Sequence, residues 1–164
     1  MKFEPLTLSH TNKLLDFEIK NKDYFESFIA PRENAFYTKA GVEDHIQQLT
    51  NEDSNLPFVL MDNSQIIARA NLKNIHKNGS AEIGYRVAQN TIGKGVGSLC
   101  VKFLIEKSKN IDIKSLLAYV LDNNKASERV LTKSDFVLNL CLPNYCYHDG
   151  QSLHAFQYVL KFSG

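Results

Sequence analysis

No stretch of this sequence approaches the roughly twenty apolar residues that a membrane-spanning helix requires. Its first residues, Met1-Lys2-Phe3-Glu4-Pro5, lack the charged-then-apolar layout of a secretory signal. A cytoplasmic chain with no membrane partner is expected. Cysteine is scarce: Cys100, Cys141 and Cys146 form no CxxC pair and their number is odd. The expectation is free, buried thiols in a reducing compartment. A surplus of one charge is also lacking, since 19 Lys+Arg face 18 Asp+Glu. That balance gives no electrostatic reason to expect nucleic acid as a partner. His45, His76 and His154 have no ligand spacing with a Cys or acid cluster, so no metal is expected. No repeat, low-complexity run or Pro/Gly/Ser linker divides the 164 residues, which are expected to form one domain over 1–164. At that length about two thirds of the unfolded surface can be buried without metal or disulfide.

What is present is a series of short apolar patterns. Phe3 to Leu8 reads as a strand. Leu14, Leu15, Phe17 and Ile19, then Phe25, Phe28 and Ile29, give one or two amphipathic helices ending near Pro31. Val42, Ile46 and Leu49 follow helical spacing. Pro57–Met61 and Ile66–Leu72 are β-prone runs around a hairpin turn at Asp62-Asn63-Ser64-Gln65. Over Ala81–Val87, Ile83, Tyr85 and Val87 alternate with Glu82, Gly84 and Arg86. Leu99, Cys100, Phe103 and Leu104 mark a helix to about Lys109, followed by a strand (Ser115–Leu121) and a short helix (Ala126–Lys133). Phe136–Leu142 and Leu153–Lys161 form a closing pair of strands. Consecutive hairpins with a single strand–helix–strand crossover predict an α/β (α+β) fold with a mixed sheet.

Between the fourth strand and its helix lies Gly93-Lys94-Gly95-Val96-Gly97-Ser98. Three glycines at alternate positions let the chain turn sharply and aim successive N–H groups into one concavity. A helix starting near Ser98 adds unpaired N–H groups and its positive dipole end, which suits a pyrophosphate. A P-loop requires lysine immediately before the hydroxyl residue, and here Val96-Gly97 precede Ser98. A dinucleotide fingerprint requires its third glycine one residue later, and a doubly wound sheet needs several crossovers. Both readings fail. Cys146-Tyr147-His148-Asp149 contains the residue types of a thiol hydrolase, but neighbours in a strand cannot converge on one point.

The strand Ala81–Val87 leading into the glycine turn resembles the acetyl-CoA motif of GNAT-type N-acetyltransferases. A second block, Asn124-Lys125-Ala126-Ser127 through Val130-Leu131-Thr132-Lys133-Ser134-Asp135-Phe136, is similar to that family's Asn-x-x-Ser…Val-Leu-x-Lys-x-Gly-Phe segment. Phe17–Phe25, Pro31-Arg32 and Phe36-Tyr37-Thr38 resemble the RimJ/RimL ribosomal-protein branch. The resemblance implies a splayed, largely antiparallel sheet with helices on both faces and the cofactor between the fourth and fifth strands. It implies acetyl-CoA as co-substrate without a metal. The acceptor is then the α-amino group of a protein N-terminus, ribosomal in the nearest reading, or else a small-molecule amine. A CoA-binding regulatory domain without catalysis is the alternative of another class. The chain is expected to act as a monomer or homodimer. Two positions depart from the family pattern: Ile92 stands where Gln or Arg precedes the first glycine, and Asp135 replaces glycine before Phe136.

The same resemblance distributes the chemistry. Gly93, Lys94, Gly95, Val96, Gly97 and Ser98 would hold the pyrophosphate. The backbone at Val87 would supply the oxyanion donor. Asn124 would cap its helix and reach the pantetheine arm. Ser127 would donate a hydrogen bond to the departing sulfur. Glu82, on the strand leading to the cofactor, is the first candidate for binding or deprotonating the amine. An α-amino group of pKa about 7.7–8.0 is already about a tenth neutral at pH 7, so no strong base is demanded. Arg32 and Tyr85 are assigned to the acceptor side.

Overall fold

The computed structural model describes residues 1–163. Its strands are β1 (Lys2–Pro5), β2 (Leu56–Asp62), β3 (Gln65–Lys73), β4 (Ser80–Val87), β5 (Ser115–Leu121), β6 (Val137–His148) and β7 (Gln151–Lys161). Its α-helices are α1 (Thr11–Lys20), α2 (Lys22–Glu26), α3 (Lys39–Thr50), α4 (Val96–Asn110) and α5 (Lys125–Lys133). One seven-stranded sheet runs in the order β1-β2-β3-β4-β5-β7-β6. Only β4 and β5 are parallel neighbours, as their helical crossover requires. Asn63 and Ser64 both take left-handed φ, 48° and 65°, which matches the twist of the β2–β3 hairpin.

The sheet is covered on both faces. On one, α4 buries Val96, Cys100, Val101 and Leu104 against Leu72, Ala81, Ile83 and Leu116, with Leu131 of α5 and Phe136 closing the cluster. On the other, Leu14 and Phe17 of α1 and Val42 and Ile46 of α3 pack over Val59, Ile66 and Ala88. The period-two pattern of β4 divides its residues between these layers. Ile83 and Tyr85 join the α4 cluster, while Arg86 meets Glu18 of α1.

One seam of the sheet is incomplete. The β4–β5 ladder holds only over Ser80–Glu82 against Ser115–Leu117. From Ile83 to Val87, and from Ala118 to Leu121, the two strands have no ladder to each other, although each remains paired on its other side. The strands therefore splay toward their C-terminal ends, the end at which the glycine turn begins.

Several elements differ from expectation. The first strand stops at Pro5, and Leu8–His10 form a short 3-10 turn. The first helical stretch breaks at Asn21, whose buried side chain donates to the Phe17 carbonyl and accepts from the Gln89 N–H at 2.8 Å. α4 starts at Val96, not Ser98. β6 runs past Leu142 to His148, because Pro143 and the left-handed Asn144 (φ 51°) form a register shift, not a turn. The thiols are not uniformly buried: Cys100 is, Cys146 is half-buried and Cys141 is exposed.

Asp135 sits at φ 68°, so the backbone before Phe136 is left-handed and a side chain there is strained. Asp tolerates that region better than most residues, and glycine pays no Cβ penalty. Asp135→Gly should raise stability by about 0.5–1 kcal/mol, read as a shifted urea midpoint. A midpoint that falls would show that the Asp135 side chain supplies more than the strain removes.

Candidate active site

The glycine turn leads from the end of β4 into α4. Gly93 and Gly95 both adopt φ 78°, and a Cβ built on either would meet nothing within 4 Å. The concavity is thus open to solvent, and the glycines are required by backbone conformation, not by crowding. Gly95 is the residue before α4, and the first helical bond runs from the Leu99 N–H to its carbonyl at 3.0 Å. The N–H groups of Val96, Gly97 and Ser98 therefore have no intrahelical partner and present a positive helix end. Lys94 is exposed beside them, and Ile92, half-exposed, leaves the rim without a polar side chain.

The backbone of Val87 can be oriented from the ladder. The Ala88 N–H donates to the Ile67 carbonyl on β3 at 2.8 Å, and Val87 is in register with Ala68. In an antiparallel pair, hydrogen-bonded and non-bonded residues alternate, so Val87 and Tyr85 direct their N–H groups away from β3. That direction is the gap. On the α4 side of the gap the Tyr85 hydroxyl donates to Ser127 Oγ at 3.1 Å. Burial pushes the Tyr85 phenol up to about 12, so it stays protonated and remains the donor. Asn124 caps α5 by accepting from the Ser127 N–H at 3.2 Å, which fixes the first turn of that helix and with it Ser127. Gly97 lies beneath: a Cβ there would stand 3.5 Å from the Tyr85 ring and 3.6 Å from Val130.

The opposite face of the gap is cationic. Arg69 and Arg86 face each other as a cross-strand pair on β3 and β4. Glu18 bridges them, 2.7 Å from Arg69 Nη1 and 3.5 Å from Arg86 Nη1. Arg69 Nη2 donates to His45 Nε2 at 2.9 Å. Arg86 lies 5.3 Å from the Phe25 ring centre, and Arg32 covers Phe36 at 4.2 Å. Burial, with Arg32 and Arg69 adding to it against the pull of Glu18, brings the Arg86 guanidinium down to about 10. Burial likewise lowers Arg32.

Burial and the three guanidiniums depress His45 to about 3, so it is neutral and accepts from Arg69. Its folded pKa lies below the unfolded value of about 6.5, and the unfolded chain therefore binds the extra proton between them. The stability due to His45 is complete above about pH 6.5 and declines as pH falls toward 3. His45→Gln keeps an acceptor for Arg69 and removes the titration. Urea midpoints should fall less steeply from pH 7 to pH 4 in this variant than in wild type; parallel curves would show His45 to be accessible to protons.

Residues 1–137 match a family model described as an acetyltransferase (GNAT) domain. The chain belongs to the GNAT acetyltransferase family. A curated relative, Probable N-acetyltransferase YjcK of Bacillus subtilis, is 26% identical over 140 residues, covering 80% of this chain and 77% of the relative. Among solved structures, the ribosomal-protein-S5-alanine acetyltransferase of Vibrio fischeri superposes with a TM-score of 0.89 at 20% identity, covering 97% of this chain and 91% of that one. RimL, the ribosomal L7/L12 alpha-N-protein acetyltransferase in complex with coenzyme A, gives 0.87 at 19% identity over 97% and 92%. These likenesses carry the fold: a seven-stranded, mostly antiparallel GNAT sheet with helices on both faces.

Within this GNAT fold the expected site residues divide into three groups. Tyr85, Val87, Ser127, Asn124 and the glycine turn gather around the gap, on or beside the α4–α5 face. Arg32 lies with Arg69 and Arg86 on the other face, so Tyr85 and Arg32 stand on opposite sides of the sheet. Glu82 sits at the last β4–β5 rung, where its carboxylate accepts from Asn74 Nδ2 at 2.7 Å. It is five positions before Val87, on the order of 16 Å along the strand. His154 accepts from the Asn144 N–H at 2.9 Å and braces the β6–β7 hairpin. Lys125 pairs with Glu128 at 3.1 Å on the surface of α5. An open hollow of about 360 Å³ between α1 and the β2–β3 turn includes none of the residues at the gap.

Glu18, Arg69, Arg86 and His45 were not singled out by sequence. The alternation of β4 placed Arg86 opposite Tyr85, but Glu18 lies 68 residues from Arg86 and 51 from Arg69. The one signal available was an Arg in the interior of each of two apolar strands, β3 and β4.

Proposed function

We propose that this GNAT acetyltransferase binds acetyl-CoA in the β4–β5 gap and transfers its acetyl group to the α-amino group of a protein N-terminus, as the structural neighbour RimL is named for doing. The observation that carries the reading is the splayed seam, with the Val87 N–H aimed into it, the α4 N-terminus at its mouth and the Tyr85–Ser127 pair on its wall. The exposed N–H groups of Val96, Gly97 and Ser98, with Lys94, match a pyrophosphate. A pantetheine arm then runs down the gap past Asn124 toward Val87.

The amine attacks the thioester carbonyl carbon from the α1–α3 face, and the carbonyl oxygen takes up negative charge. The Val87 N–H is already directed there, so it stabilises charge that appears only in the transition state. Collapse breaks the carbon–sulfur bond and leaves a thiolate, while the nitrogen loses its extra proton to water. Because Ser127 Oγ accepts from Tyr85, the hydroxyl hydrogen of Ser127 is free to point at the sulfur. Tyr85 thereby sets the rotamer of the donor. A neutral amine is drawn from the tenth or so that is unprotonated at pH 7, which leaves Glu82 outside the necessary steps.

The test is a thermal-shift titration with acetyl-CoA and CoA, followed by mass spectrometry of N-terminal peptides against small amines. A ligand that binds only the folded chain adds about 2.7 kcal/mol at 100 times its dissociation constant. No shift with either ligand would sink the reading; acetylation of small amines alone would move the acceptor. Ser127→Ala should lower kcat on the order of tenfold or more while acetyl-CoA affinity changes little. An unchanged kcat would reduce Ser127 to a helix residue.

A further inference from the structure

We infer that the acceptor carries an anionic group, a carboxylate or phosphate close to its amine, and that Arg86 and Arg32 on the α1–α3 face of the gap hold it. This rests on the proposed entry of the amine from that face. Its own support is a charge imbalance. Arg32, Arg69 and Arg86 gather there, and Glu18 is the carboxylate buried among them. Glu18 is spent mainly on Arg69, leaving Arg86 at 3.5 Å and Arg32 with no ion pair among the described residues. At the edges the signs balance: Lys22 and Glu26 flank Tyr37, and Lys73 and Glu82 are in register at the closed end of the gap.

Desolvated cations without counter-ions are costly unless a ligand supplies the charge. Unspent hydrogen-bonding capacity on the same face points the same way. Arg32 Nε and Arg69 Nε are buried donors without partners among the described residues. Asn71 Oδ1, two pairs along from Arg69 and in register with Gly84, is a buried acceptor likewise unpaired. An arginine presents planar paired donors that fit carboxylate or phosphate. Arg86 immediately precedes Val87, so an anion on its guanidinium would leave an amine a few atoms away beside the oxyanion donor.

Calorimetric titration of matched pairs into the CoA-saturated protein, and into the protein alone, tests this. One pair is an N-terminal peptide with Asp or Asn as second residue; the other is phosphoethanolamine and ethanolamine. The acidic member of at least one pair should bind ten times more tightly than its neutral partner, and the pair that responds identifies the anion's source. Arg86→Gln and Arg32→Gln should each reduce that preference at least fivefold, with CoA affinity retained. Arg32, partly exposed and without an ion pair, is the variant expected to fold normally. Equal or absent binding within both pairs overturns the inference, as does a preference that survives Arg32→Gln. CoA affinity, read in the same titrations, judges the acetyl-donor reading separately.

Discussion

Gly95→Asp should abolish the thermal shift that acetyl-CoA gives the wild-type chain, while the unliganded protein keeps its fold. Gly95 occupies φ 78°, and a Cβ there meets no atom within 4 Å. The steric cost is therefore confined to backbone strain, about 1 kcal/mol, and Asp is among the residues that bear it best. The binding cost is of another order. A carboxylate at the residue before α4 cancels the positive end of the helix and opposes a pyrophosphate at close range. Gly95→Ala carries similar strain without the charge and should weaken binding less. If the aspartate variant binds CoA normally, the glycine turn is not the phosphate site.

Glu18→Ala should cost about 3–5 kcal/mol, the figure for breaking a buried ion pair by removing one partner. A domain of this size has on the order of 5–15 kcal/mol in total, so the variant should unfold at a much lower urea concentration. Glu18 is 1% exposed and separates two arginines that face each other across β3 and β4. Without it, like charges stand directly opposite in a buried layer. The double variant Glu18→Leu/Arg69→Met replaces the closest pair by apolar volume and should recover most of the loss. A cost under 1 kcal/mol for Glu18→Ala would mean that water reaches the pair and solvates both arginines.

Legibility followed sequence distance. β2, β3, β4 and β5 were readable because each is a short apolar run bounded by turn residues, and the hydrogen bonding of a hairpin is settled within a dozen positions. The glycine turn was readable for the same reason, since its conformation is a local property of Gly93 and Gly95. The resemblance to GNAT proteins then supplied what locality could not, namely that Ser127 belongs near a strand that ends forty residues earlier. Where two local signals competed, reading failed. Pro143-Asn144 has the letters of a turn, yet the β6–β7 pairing absorbs it as an irregularity and carries the strand on to His148. The cationic face failed for a different reason. Glu18 in an amphipathic helix and Arg69 in a strand each look like a solvated charge, and only the packing of α1 onto the sheet makes them partners.

The incomplete seam has a mechanical meaning. Strands β1 to β4 and strands β5 to β7 are two plates joined along the sheet by a short parallel ladder at one end, like a hinge with its pin half drawn. At the other end the plates meet through side chains, α4 against α5 and Tyr85 against Ser127. A molecule lodged between them is a missing rung as much as a passenger. Its arrival would turn two plates into one, and amide exchange on both banks of the gap should slow together.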